Sequence, residues 1–206
     1  MDTIKQSSIT SEIIDQAMDY EAFNKLTTEL FDEGRTTNDD NSESMLNYTK
    51  LNIQRTHRID KRGVISDETK AIIEEINTDQ VWLVITEGWC GDSAQLLPYV
   101  KKMADLNDHI ELKIIIRDKY PQVMDEFLTD GKSRSIPKVI ILDKHTLEVL
   151  GSWGPRPAEV HQKYLAEKLD PEVGGTLASQ NLHTFYARDK GAILQVEFRA
   201  LLKSIT

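Results

Sequence analysis

Cysteine is almost absent from this chain: Cys90 is the only one in 206 residues. A single thiol excludes an intrachain disulfide, so nothing here asks for an oxidising compartment. No apolar run approaches the ~20 residues that cross a bilayer, and the N-terminal "MDTIKQSSIT" holds no hydrophobic signal core. The expectation is therefore a cytoplasmic protein without a membrane partner. Positive charge is also scarce, with 25 basic against 34 acidic side chains and a net charge of -9. That balance argues against a general nucleic-acid surface, whose affinity comes from neutralising phosphates. His57, His109, His145, His161 and His183 stand singly, without ligand spacing, so no metal site is expected.

What is present reads as one ordinary core, 39% apolar and 29% charged. Ile13, Ala17, Tyr20, Phe23, Leu26 and Leu30 recur at three- and four-residue steps, which predicts one amphipathic helix ended by Gly34. "RTTNDDNSES" is a polar loop. A second helix is predicted over Glu43–Arg62, basic at its far end. Ser66, followed by acids in "SDETKAIIEEI", suits the start of a third.

The pattern then changes period. "VWLVIT" (Val81–Thr86) and "IELKIII" (Ile110–Ile116) are continuous, β-branched runs of the kind buried on both faces of a sheet. "KVIIL" and "LEVLGSW", joined by "DKHT", predict an antiparallel hairpin from Lys138 to Trp153. Helical spacing fills Ser93–Leu106, "PQVMDEFL" offers a shorter helix, and Pro157 opens another through Leu169. Beyond the Pro171–Gly175 break, one last helix is predicted, weakened at Gly191. The order strand–helix–strand–helix–strand–strand–helix predicts an α/β fold with a mixed sheet. Its divisions are a helical extension over residues 1–80, a sheet domain over 81–169, and a C-terminal helical extension over 170–206.

Trp89-Cys90-Gly91-Asp92-Ser93 follows the first strand and opens a helix, and Ile136-Pro137 opens the later hairpin. This layout resembles the thioredoxin superfamily, whose motif is Trp-Cys-Gly-Pro-Cys and whose cis-proline falls where Pro137 stands. The whole chain is similar to bacterial thioredoxin-like proteins that carry a helical extension and often have Cys-Gly-Asp at this site. The resemblance implies a thioredoxin-like sheet flanked by helices, Cys90 as nucleophile, and a substrate groove formed by Trp89, Gly91, Asp92, Ile136, Pro137 and Trp153.

The chemistry of such a site is that of a thiolate, stabilised by the unpaired N–H groups and positive dipole end of the helix it precedes. Such chemistry at Cys90 would show as an exposed sulfur with a pKa below ~8.5, while a lone cysteine can equally be an inert packing residue. Departures from the motif are as informative. Ser93 replaces the resolving cysteine, so it can hydrogen-bond the sulfur but carry no electrons. Val84 stands where thioredoxins bury an acid. Asp92 complements the helix start, yet its charge opposes a thiolate. A dithiol reductase is therefore not expected.

Two functions remain. One is monothiol exchange or redox sensing at Cys90, with a protein or small-molecule thiol or disulfide as partner and glutathione as a possible external thiol, without a bound cofactor. The alternative is a redox-inactive binding module for a peptide or protein. An iron–sulfur role like that of monothiol glutaredoxins is disfavoured, because Thr86, Glu87, Gly88 and Trp89 stand where those proteins have a lysine. Finally, Tyr48, Asn52, Arg55, Ile59 and Arg62 can share one helix face. Were that face to lie over the sheet's carboxyl edge, Arg55 would offset Asp92, stabilise the thiolate, or bind a carboxylate.

Overall fold

Strand β1 (Gln80–Thr86) is buried at every position and forms the axis of the molecule. The computed structural model describes residues 7–205; the first six residues of the segment read as lacking a signal core lie outside them. β1 runs parallel to β2 (Ile110–Ile116), from Gln80 beside Ile110 to Thr86 beside Ile116. On its other side it is antiparallel to β3 (Lys138–Asp143), which pairs in turn with β4 (Val149–Trp153). The sheet is mixed and four-stranded, in the order β2-β1-β3-β4.

Successive side chains on a strand face opposite ways, and β1 divides accordingly. Trp82 and Val84 enter one apolar cluster with Ile114, Val139 and Phe198, while Val81, Leu83, Ile85 and Cys90 enter the other with Ile140, Val123 and Met124. Both faces are covered by helices. α5 (Gly91–Ala104) follows β1 directly and starts at Cys90. The thioredoxin-like α/β fold, with additional helices at both ends, is therefore present.

Local signals explain most elements. α3 occupies Glu43–Arg62 and ends at Gly63, as its sequence predicts. The Ser66 hydroxyl accepts from the Thr69 amide to start α4 (Asp67–Glu74). Pro157 caps α7 (Ala158–Leu169).

Four expectations are corrected. The stripe from Ile13 to Leu30 is two helices, α1 (Ser11–Gln16) and α2 (Tyr20–Asp32). Between them Met18 exchanges backbone hydrogen bonds with Ile114, covering the free edge of β2, and Asp19 caps α2 through the Ala22 amide at 2.7 Å. The helix in "PQVMDEFL" is only α6 (Pro121–Met124). β4 starts at Val149, because Leu147 has φ 59° and belongs to the turn that the Asp143 carboxylate holds through the Thr146 amide. The final helix is two, α8 (Gly174–Asp189) and α9 (Ala192–Ile205). Lys190 and Gly191 between them are left-handed, and Tyr99 carbons lie 2.9 Å from where a Cβ on Gly191 would stand. A glycine is required there. The break turns α8 toward the motif while α9 packs Phe198 and Leu202 into the core.

Candidate functional site

Cys90 ends the loop after β1 and is the N-cap residue of α5, so the predicted placement is met. Its S–H donates to the Ile136 carbonyl at 3.3 Å, and the Ile136–Pro137 peptide is cis. The exposure that thiolate chemistry requires is not met. Cys90 is 7% exposed. Burial first, and the Asp92 charge second, push its pKa up to about 11, against opposing hydrogen bonds from Ser93 and from the Ser93 and Asp92 amides. The helix start is outweighed by desolvation. Ser93 is itself buried and accepts from the Thr86 hydroxyl at 2.5 Å.

Asp92 is clamped. Arg156 Nη2 donates to Oδ2 at 2.6 Å, and the Tyr186 hydroxyl donates to Oδ1. Arg156 comes from the turn after β4, Tyr186 from α8. The "SWGPRP" turn thus reaches the motif, but it delivers Arg156 rather than Trp153. Trp153 is buried against Phe198, its Nε1 donating to Glu197 at 2.6 Å, and it does not line the cleft described below.

The basic face of α3 does lie over the motif. Asn52 donates to the Gly88 carbonyl at 3.2 Å and accepts from Arg55 at 3.0 Å. A methyl on Gly91 would come 2.7 Å from His183 Cε1 and 3.5 Å from Arg55 Nη1, so both side chains sit directly on the helix start. His183 is held neutral, its pKa pushed down to about 4 by burial and by the nearby Arg55 charge. Arg117 stacks on the Trp89 ring at 5.0 Å. Between these groups opens a cleft of about 430 Å³, lined by Trp89, Cys90, Gly91, Asp92 and Ile136 among others. A separate cavity of about 160 Å³ among α2, α3 and α5 reaches Cys90 and Ser93 from residues such as Tyr20 and Asn52.

Glu87 is the acid that sequence reasoning passed over. It is fully buried three residues before Cys90, accepting from the Thr37 hydroxyl and, at 3.1 Å, from the Asp118 amide. Thr37 also accepts from the Gly88 amide at 3.0 Å, so this carboxyl pins the motif loop. Burial raises its pKa from 4.5 to about 7, despite those two hydrogen bonds. Because the folded value lies above the unfolded one, the fold retains a proton that the unfolded chain releases between those values. Stability from Glu87 is intact below about pH 4.5 and is lost as pH rises through about 7. Glu87→Gln keeps the neutral form and is expected to be more stable than the parent above pH 7, by about 3 kcal/mol at most. Urea denaturation at acidic and alkaline pH checks this: the advantage grows with pH.

Comparison with known proteins falls in line with this geometry. A family model described as Thioredoxin matches residues 38–170. The chain belongs to this thioredoxin-like family. Among solved structures, a protein of unknown function from Pseudomonas aeruginosa is 19% identical, with a TM-score of 0.63 over 98% of this chain and 99% of that one. An HIV epitope-scaffold is 20% identical, with a TM-score of 0.53 over 92% of this chain and 98% of that one. Both likenesses concern the thioredoxin-like fold alone. No curated protein matches. Among the described residues, no helix of this thioredoxin-like protein is long and apolar enough to cross a membrane.

Proposed function

We propose that this thioredoxin-like protein is a binding module, holding a ligand in the cleft over Cys90 while the cysteine is a neutral thiol in the cleft floor. One observation carries this reading: the sulfur is buried and its S–H donates a hydrogen bond to the Ile136 carbonyl, with burial pushing its pKa up to about 11. At pH 7 that leaves about one thiolate in ten thousand, against about 3% for a free cysteine. Higher basicity makes each thiolate more nucleophilic, which recovers part of the loss. Alkylation of Cys90 by iodoacetamide near neutral pH is expected to run roughly 30- to 300-fold slower than that of a free cysteine. Denaturant restores the ordinary rate. Native alkylation as fast as a free thiol's would overturn the reading.

The second reading, monothiol exchange or redox sensing, is favoured by a different observation. The sulfur stands at the start of α5, where Ser93 and two backbone amides favour its anion. Under that reading a protein or small-molecule disulfide, with glutathione as external thiol, meets Cys90 in the same cleft. The alkylation rate separates the two.

A further inference from the structure

We infer that the cleft over Cys90 binds a small organic polyanion, gripped by Arg55, Arg117, Arg134 and Arg156. This rests on the reading of the cleft as a ligand site and names the chemistry of its occupant. The lining holds these four arginines and one carboxylate, Asp92, in a chain where acids outnumber bases 34 to 25. Asp92 is already spoken for by Arg156 and Tyr186. The residues that gather the cations come from α3, the segment after β2, the loop before Pro137 and the turn after β4, so the fold converges them from four separate places.

Their availability differs in a way that suits an incoming anion. Among the described residues Arg55 forms no ion pair; its Nη1 donates to Asn52, which is uncharged. Arg117 and Arg134 do pair, with Asp118 and Asp125 at 2.7 Å each, but these carboxylates do not line the cleft. Both pairs are partly exposed, so solvent screens them and their guanidiniums can exchange a carboxylate partner for a ligand. A guanidinium fork matches the two oxygens of a carboxylate or phosphate.

Two further features point the same way. Among the described residues four side-chain atoms are buried without a hydrogen-bond partner, and three of them, Trp89 Nε1, Arg156 Nε and His183 Nδ1, belong to residues that line the cleft; the fourth is Thr129 Oγ1. Buried orphans of this type are uncommon, and their clustering here marks an unfinished polar site. The volume, about 430 Å³, falls in the range of small-molecule sites. The net charge of -9 repels an extended polyanion such as a nucleic acid, while a small ligand is attracted by the local arginines.

The test is calorimetric titration of the full chain with pyrophosphate and, separately, with citrate, at ionic strength fixed by sodium chloride. One or both are expected to bind saturably, one per chain. Arg55→Gln and the half-exposed Arg134→Gln are each expected to weaken binding about 10-fold or more, whereas Lys25→Gln on α2 leaves it unchanged. Pyrophosphate binding alone assigns phosphate esters, citrate alone assigns carboxylates. No binding of either, or affinity unchanged from the parent in both arginine variants, overturns the inference. Slow alkylation of Cys90 together with absent anion binding removes this inference and spares the module reading; fast alkylation removes the latter.

Discussion

Asp92→Ala is expected to lower folding stability by about 3–5 kcal/mol, because it strands the Arg156 guanidinium in a buried site without its counter-charge. Arg156 and Asp92 side chains are only 11% and 10% exposed, so water makes good little of the lost partner. The Tyr186 hydroxyl, buried against the same carboxylate, loses its acceptor too. Tyr186→Phe removes one hydrogen bond while the ion pair stays, and is expected to cost about 1–2 kcal/mol. Combining the two changes gives less than their sum, since both act on one network. Urea denaturation of the parent, both single variants and the double variant checks the pattern. A loss below about 1 kcal/mol for Asp92→Ala would mean the clamp contributes nothing beyond a surface pair.

Gly154→Ala carries the next largest effect. Gly154 has φ +123°, a region that side chains rarely enter, and an added Cβ would lie 2.2 Å from the Pro137 carbonyl oxygen. That neighbour is backbone, so relief requires moving either the Ile136–Pro137 segment or the turn that carries Arg156. Lys138 Nζ donates to the Gly154 carbonyl at 3.2 Å, tying the same two segments together. Strain and overpacking together are expected to cost about 3–5 kcal/mol. Movement of the turn also loosens Arg156 from Asp92. The variant is therefore expected to lose both stability and, in whatever folds, the slow alkylation of Cys90. Denaturation and alkylation of the same preparation report the two consequences.

The sheet was legible because its causes are local. Val81–Thr86 is a run of β-branched and large apolar residues, and its burial on both faces follows from that composition. Ser66 marks a helix start by capping chemistry that acts within a few residues. The motif loop, Cys90 and the Ile136–Pro137 segment were legible from their resemblance to a known layout. What escaped depends on distance along the chain. Arg156 is 64 residues from Asp92, and Tyr186 is 94 residues from it. No spacing rule connects them. Trp153 is the large aromatic of its turn, yet it is the one buried residue of edge strand β4 and packs into the core, while Arg156 goes to the site.

The break at Met18 had a readable sign in Asp19, a capping residue inside an otherwise continuous stripe. The state of Cys90 had none. A helix start lowers a thiol's pKa and burial raises it, and only the packing that buries the sulfur against the Ile136 carbonyl with Asp92 nearby decides between them. Glu87 is a parallel case: a glutamate in a loop reads as exposed, and only the contacts with Thr37 and Asp118 reveal it as buried.

The ionisation of Cys90 in the native chain is the most direct measurement, followed by ultraviolet thiolate absorbance against pH with Cys90→Ser as the blank. A midpoint near 11 is the predicted result. A midpoint at or below the ~8.5 of a free cysteine would show a thiolate at work and contradict the account.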